Sequence, residues 1–308
     1  MAYNVKLLKD ENLKVFLIGS GGPFNNEARV ASCIAVIAGG EFLLVDVGPG
    51  TFRVVDLMRL PIPYLSKILL THFHSDHIGD LGEANIMSWA NGRTKALEIY
   101  GPEGVETVVN GFITAYKQDT GYRIAHHGKD IMIAEAGTPI SKTIKFSDPN
   151  EKELCFEKTG LNVYAFLVDH SPVKPALGYR IEYKGNVVVI TGDTKRTDNL
   201  VEHCKDADIL FCEAISYELL NNMIEGLKRN NLSRLSKILT DIQSYHMDPI
   251  EAAKVAKDAC VKKLVYVHIT PPLTTKTTED IYLKGVAEIF DGEIILGKDR
   301  MKFMLKSK

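Results

Sequence analysis

Thr71-His72-Phe73-His74-Ser75-Asp76-His77 follows an apolar run, Ser66-Lys67-Ile68-Leu69-Leu70, that reads as a buried strand. Three imidazoles and a carboxylate gathered at the mouth of a strand are costly to keep together unless a cation satisfies them. Neutral imidazoles and an ionised carboxylate are the donors that a divalent borderline cation prefers. In an extended segment His72 and His74 point to the same side, so both can reach one ion. Asp76 and His77 lie past the strand end, where a turn can aim them at a second position. A lone His-x-His carries little information, whereas four ligand-type residues within six positions rarely collect by accident. An exposed polar loop with incidental histidines is the competing reading. It is disfavoured because three of the nine histidines fall here and others stand at strand ends further on.

The rest of the chain reads as strands and helices around this stretch. Lys14 to Ile18 is a strand that runs into Gly19-Ser20-Gly21-Gly22-Pro23. That turn fails the dinucleotide pattern, since Phe24 stands where a third glycine belongs, and it has no Gly-Lys-Ser/Thr. Ser32 to Ala38 and Glu41 to Val47 flank Gly39-Gly40, a hairpin signal. Asp46 closes the second arm, either as a turn former or as the acceptor for a ligand histidine's second N–H. Thr51 to Leu60 is a helix stopped by Pro61 and Pro63, Asp80 to Ala90 another, and Leu97 to Tyr100 a strand. Pro102 opens a helix to about Lys117. Residues 119–152 are less regular and read as an insertion on the rim of the site. Within it His126 and His127 are open to two readings, substrate contacts or a partly buried structural pair.

Leu161 to Val168 delivers Asp169-His170. Leu177 to Tyr183 and Asn186 to Ile190 form a hairpin through Lys184-Gly185, ending at Asp193. Asp208 to Cys212 ends at Glu213, and a helix spans Tyr217 to Lys228. His246 precedes a helix with Asp248 as N-cap and Pro249 at its first position. Lys263 to Val267 ends at His268, and two short strands near the C-terminus close a sheet edge. Strand–loop–helix units with His or Asp at the strand ends indicate an α/β domain over residues 1–308.

These landmarks resemble the metallo-β-lactamase superfamily of dinuclear metal hydrolases, in its tRNase Z-like and arylsulfatase-like branch, from about Phe16 to the C-terminal strands. The turn after the first strand, with Arg29 and Ser32, looks like that branch's opening motif. The resemblance implies a four-layer αββα sandwich with the metals at the shared edge of two sheets. It also implies that His72, His74 and His170 hold one ion, that Asp76, His77 and His268 hold a second, and that Asp193 bridges them. Two divalent ions are the expected cofactors. A ligand set without thiolate favours zinc, with manganese or iron left open. Such a pair provides a hydroxide near neutral pH for attack on an ester centre, with Asp76 to orient it or accept its proton. Asp46 takes the role of histidine acceptor. Glu213-Ala214-Ile215 and His246 match the branch's pair that helps the leaving oxygen depart. His126 and His127 match none of the ligand motifs.

Composition limits the substrate. Lys+Arg 37 against Asp+Glu 39 gives a formal net charge of -2, which offers no bulk attraction for nucleic acid. In many members of the branch an arm that grips tRNA lies between the third-motif His and the bridging Asp, yet His170 and Asp193 are only 23 residues apart. The expectation is hydrolysis of a phosphodiester or similar anionic ester on a small molecule. A sulfate ester comes next, then a lactone or carboxylic ester, with tRNA 3′-end cleavage disfavoured. Diiron flavoprotein relatives carry Glu where His74 stands, and non-catalytic ones lose ligands that are all present here. Five scattered cysteines read as small buried thiols, no apolar run reaches membrane-spanning length, and the N-terminus lacks a signal-peptide layout. A reducing cytoplasm is the expected setting, and the resemblance implies a homodimer as the assembly.

Overall fold

Alternation along the strands divides the protein into layers. On β1 (Leu13–Gly19) the side chains of Leu13, Val15 and Leu17 enter one apolar core while Phe16 and Ile18 enter another. The chain is represented by a computed structural model that describes residues 3–308. Met1 and Ala2, where the N-terminal reading begins, lie outside the described residues.

The first sheet is built from β1, β2 (Cys33–Ala38), β3 (Glu41–Val45), β4 (Leu65–Leu69), β5 (Glu98–Gly101) and β6 (Ile140–Thr143). The second contains β7 (Glu153–Lys158), β8 (Leu161–His170), β9 (Val173–Tyr183), β10 (Asn186–Ile190), β11 (Ile209–Ile215), β12 (Lys263–Thr270) and β13 (Glu293–Leu296). β14 (Met301–Leu305) returns to the first sheet and pairs antiparallel with β1, so the orders are β14-β1-β2-β3-β4-β5-β6 and β13-β12-β11-β10-β9-β8-β7. Gly39 and Gly40, at φ 58° and 80°, make the left-handed turn that joins β2 to β3.

The inner faces of the two sheets share one core, in which Val36, Leu43 and Val45 meet Val163, Tyr179, Ile181 and Phe211. Outside the first sheet lie α1 (Lys6–Lys9), α2 (Thr51–Leu57), α3 (Ser75–Ile78), α4 (Leu81–Ala90) and α5 (Val105–Ala115), with Phe52, Leu81 and Val109 packed on Ile37, Leu44 and Ile68. α6 (Lys117–His127) and α7 (Ala134–Gly137) follow. Outside the second sheet, α8 (Asp198–Cys204), α11 (Pro249–Asp258), α12 (Lys276–Tyr282) and α13 (Val286–Ile289) cover Leu210, Leu264 and Tyr266. α9 (Tyr217–Arg229) and α10 (Ser233–Asp241) pack together around Leu220, Ile224 and Leu239. The αββα expectation holds. Asp248 caps α11 with a capping box through Glu251, and Pro249 is its first residue.

Three local expectations change. Residues 117–127 are helical, and β6 joins the first sheet, so much of 119–152 is regular. α6 buries none of its residues and therefore leaves no apolar stripe to read in the sequence. Pro102 does not open a helix; α5 begins at Val105 after Gly104, whose φ is 101°. The two C-terminal strands close one edge of each sheet rather than a single edge. Among the cysteines, Cys33, Cys204 and Cys212 are buried as expected, Cys155 is half-buried and Cys260 is exposed.

The sheets are tied beside the histidine-rich stretch by Tyr179 of β9, fully buried, whose hydroxyl donates to the carbonyl of Leu70 at 2.7 Å. Tyr179→Phe would leave that carbonyl without this donor in a space closed to water. The expected cost is about 1–3 kcal/mol. Urea unfolding should show a lower midpoint at an unchanged slope.

Candidate metal centre

β4 ends at Leu69, so His72 and His74 lie in the loop beyond it rather than on extended strand, and Asp76 and His77 are carried by α3. The His72 Nε2 and His74 Nδ1 atoms are nevertheless only 2.9 Å apart. His170 arrives as the last residue of β8, Asp193 after β10, and His268 within β12. The donor atoms of His72, His74, His170 and Asp193 all lie within 4.8 Å of one another, as do those of Asp76, His77 and His268. The resemblance implies the same division of the histidines and Asp76, with Asp193 between the two sets. Asp193 Oδ2 lies 3.7 Å from His72 Nε2, 3.3 Å from His77 Nε2, 3.9 Å from His170 Nε2 and 3.4 Å from His268 Nε2.

The far side of each ring is held by the surrounding fold. Asp46 Oδ2 accepts from His77 Nδ1 at 2.8 Å and from the Thr71 hydroxyl at 2.9 Å. Thr71 Oγ1 in turn accepts from His72 Nδ1 at 3.0 Å. One carboxylate thereby fixes two imidazoles with Nε2 toward the cluster. His170 Nδ1 donates to the Tyr245 carbonyl at 3.1 Å. Glu213 Oε1 accepts from His246 Nδ1 at 2.8 Å and from the Thr194 N–H at 2.9 Å. His246 also comes within 4.8 Å of the donor atoms of Asp193 and His268, an approach that the sequence did not anticipate. Asp46 and His268 have φ of 56° and 52°, left-handed backbone that non-glycine residues seldom adopt.

The residues fit divalent cations. His77 Nε2, His170 Nε2 and Asp193 Oδ1 are buried and have no hydrogen-bond partner, although buried polar atoms are nearly always paired. Burial pushes the His72 and His170 pKa values down, which keeps both rings neutral and able to ligate. Burial opposes a charged Asp193, yet His268 and His77 outweigh it and hold the carboxyl well below the usual range. Burial likewise opposes a charged His268, but Asp193 and Asp76 raise its pKa to about 9. Cations in the cluster would displace such protons. His74 is exposed, so the centre opens to solvent on that side. His126 and His127 sit at the end of α6 outside the cluster, and both are exposed, which overturns the partly buried one of the two readings.

Three contributors escaped the sequence reading. Thr71 is inside the diagnostic stretch and Tyr245 adjoins His246, but a hydroxyl relay and a backbone carbonyl have no ligand signature. The third is Gly22, where a Cβ would come within 2.5 Å of Thr270 Oγ1 and 3.1 Å of the His268 ring. Its loop is pinned by Asp299, which accepts from the Ser20 N–H, the Ser20 hydroxyl and the Val30 N–H, and by Arg29, which donates to Ser20 Oγ.

Residues 42–269 match the model of the β-lactamase superfamily domain. The ribonuclease Z of Mycobacterium marinum is 31% identical over 290 residues, which cover 93% of this chain and 96% of that one. The chain belongs to the metallo-β-lactamase superfamily. It is a hydrolase of the ribonuclease Z-like branch. The ribonuclease Z of Mycolicibacterium paratuberculosis is 32% identical over the same length and with the same coverage. Among solved structures, the metallo-β-lactamase fold protein YhfI of Bacillus subtilis has a TM-score of 0.68 at 21% identity, covering 96% of this chain and all of that one. The short form of human tRNase Z has a TM-score of 0.64 at 22% identity, covering 95% of this chain and 99% of that one. Both likenesses are of fold. The superfamily implies divalent metal ions, and the cluster supplies donors for them. No described helix is long and apolar enough to cross a membrane.

Two variants test the centre. Asp193→Ala should cut bound divalent metal, measured by elemental analysis, from about two ions per chain to one or fewer. Chelation should lower the melting temperature of the wild type much more than that of the variant, because a ligand that binds only the folded chain adds about 2.7 kcal/mol at a hundredfold excess over Kd. Gly22→Ala should displace His268 and likewise lower metal content, with the far-ultraviolet circular dichroism unchanged.

Proposed function

We propose that this hydrolase cleaves phosphodiesters, with His246 as the acid that protonates the departing oxygen. The observation that carries the reading is the buried Glu213–His246 pair at 2.8 Å beside the ligand cluster. Bound divalent ions would supply Lewis acidity and a water acidic enough to attack near neutral pH. His72, His74 and His170 would hold one ion and Asp76, His77 and His268 the other, with Asp193 between them and zinc as the preferred metal. Asp76, whose Oδ2 lies 3.2 Å from His268 Nε2, orients the attacking water or takes its proton. Burial disfavours a charged His246, but the facing Glu213 carboxylate outweighs it and raises the pKa, so that the ring carries a proton to give. Asp46 serves this chemistry by keeping His77 and His72 in their ligating tautomers.

The diester has two candidate classes. Net charge and the short His170–Asp193 connection favour a small molecule. Ribonuclease Z relatives that align over nearly the whole chain favour an RNA phosphodiester, and we take RNA as the first substrate to test. A small-molecule diester is the second reading, supported by the direct β8–β9–β10 path between His170 and Asp193, which holds no further element.

The decisive comparison uses leaving groups of different basicity. His246→Ala should lower kcat/KM by about 10²–10⁴ on a diester that expels an alkoxide or nucleoside. The loss should be far smaller on bis-p-nitrophenyl phosphate, whose leaving group departs without a proton. Equal losses on both would remove His246 from this role. Wild-type rates on an RNA with a 3′ extension, on the aryl diester and on an aryl sulfate then rank the substrate classes, and preference for the sulfate would overturn the phosphodiester reading.

A further inference from the structure

The cluster is bordered by a continuous wall of rings, and one of these side chains contacts neither a donor atom nor the Glu213–His246 pair through a hydrogen bond. His74 lies 5.3 Å from His170, His170 5.3 Å from Tyr245, Tyr245 5.0 Å from His246, and His246 5.5 Å from His268, measured between ring centroids. Tyr245 meets the His170 ring at 78° and the His246 ring at 47°. Its backbone is fixed from two sides. The N–H donates to the Ile242 carbonyl at 3.4 Å, and the carbonyl accepts from His170 Nδ1 at 3.1 Å. The ring itself is only half-buried, and its hydroxyl makes no hydrogen bond among the described residues. Tyr217, also half-buried, differs in this respect: its hydroxyl donates to the His246 carbonyl at 2.6 Å.

We infer that Tyr245 is a specificity residue that stacks on a nucleobase in the leaving group. The inference rests on the assignment of His246 as acid. The oxygen that His246 protonates belongs to the departing half of the ester, so that half lies on the His246 side of the cluster. Tyr245 is the next ring along the wall on that side and the one whose hydroxyl is free. A phenol offers a flat apolar surface with a donor and acceptor at its tip, which suits a planar heterocycle with polar edges better than an alkyl chain. Base–aromatic stacking is sequence-tolerant, so the residue selects a nucleoside over a sugar alone rather than one base over another.

The test is made by binding, so that it stands apart from turnover. Affinities of zinc-loaded full-length protein for AMP and for ribose 5-phosphate, measured by calorimetry, isolate the contribution of the base. The wild type should bind AMP roughly 5- to 100-fold more tightly. Tyr245→Leu should bring the two ligands close to parity by weakening AMP alone, and Tyr245→Phe should keep most of the preference. Because the contact to His170 is made by the backbone carbonyl, metal content and melting temperature should be the same in all three proteins. Absence of a preference in the wild type, its survival in Tyr245→Leu, or an equal loss for ribose 5-phosphate would each overturn the assignment. Failure to cleave any diester would count against the phosphodiesterase reading while leaving this comparison intact.

Discussion

Asp193 has its carboxylate in the interior with four imidazole nitrogens converging on one of its oxygens, and the geometry of the whole centre follows from satisfying that charge. An isolated buried carboxylate would take up a proton. Here the charge is kept by rings supplied from both sheets: His72 and His77 from beyond β4, and His170 and His268 from β8 and β12. The two sheets must therefore meet at a fixed separation and register at this edge. The mixed core between them, with Tyr179 reaching across to Leu70, supplies that rigidity.

Around this hub the outer contacts are economical. Asp46 orients His77 directly and His72 through Thr71, so one residue just after β3 holds a histidine in each donor set. Glu213 plays the corresponding part for His246 while also bracing the loop after Asp193 through the Thr194 N–H. The left-handed backbone at Asp46 and His268 shows where local preference yields to this arrangement. Such conformations persist only where surrounding structure over-determines them.

Much of this was legible because ligand chemistry concentrates unusual residues at strand ends. Apolar runs such as Lys263 to Val267 followed by His268, or Val187 to Ile190 ahead of Asp193, announce both a strand and what it delivers. The hairpin glycines were legible for an equally local reason, the left-handed turn at Gly39-Gly40. What escaped was information not stored locally. α6 has no buried face, so its helical periodicity left no trace in hydrophobicity. The sheet chosen by β13 and by β14 depends on partners more than two hundred residues away in one case and on β12 in the other. Tyr245 and Gly22 act through a carbonyl and through an absent side chain, neither of which a residue type declares.

The placement of β14 bears on how the protein is made. Leu13 pairs with Leu305, so β1 has an open edge until residues 301–305 have been synthesised. His268 is also a late arrival, and without it the second group of donor atoms is incomplete. A nascent chain that stops before β12 has both an open β1 edge and an incomplete cluster of histidines. Long-range pairings of this kind close slowly. Completion of both the first sheet and the cluster therefore waits on residues beyond 262.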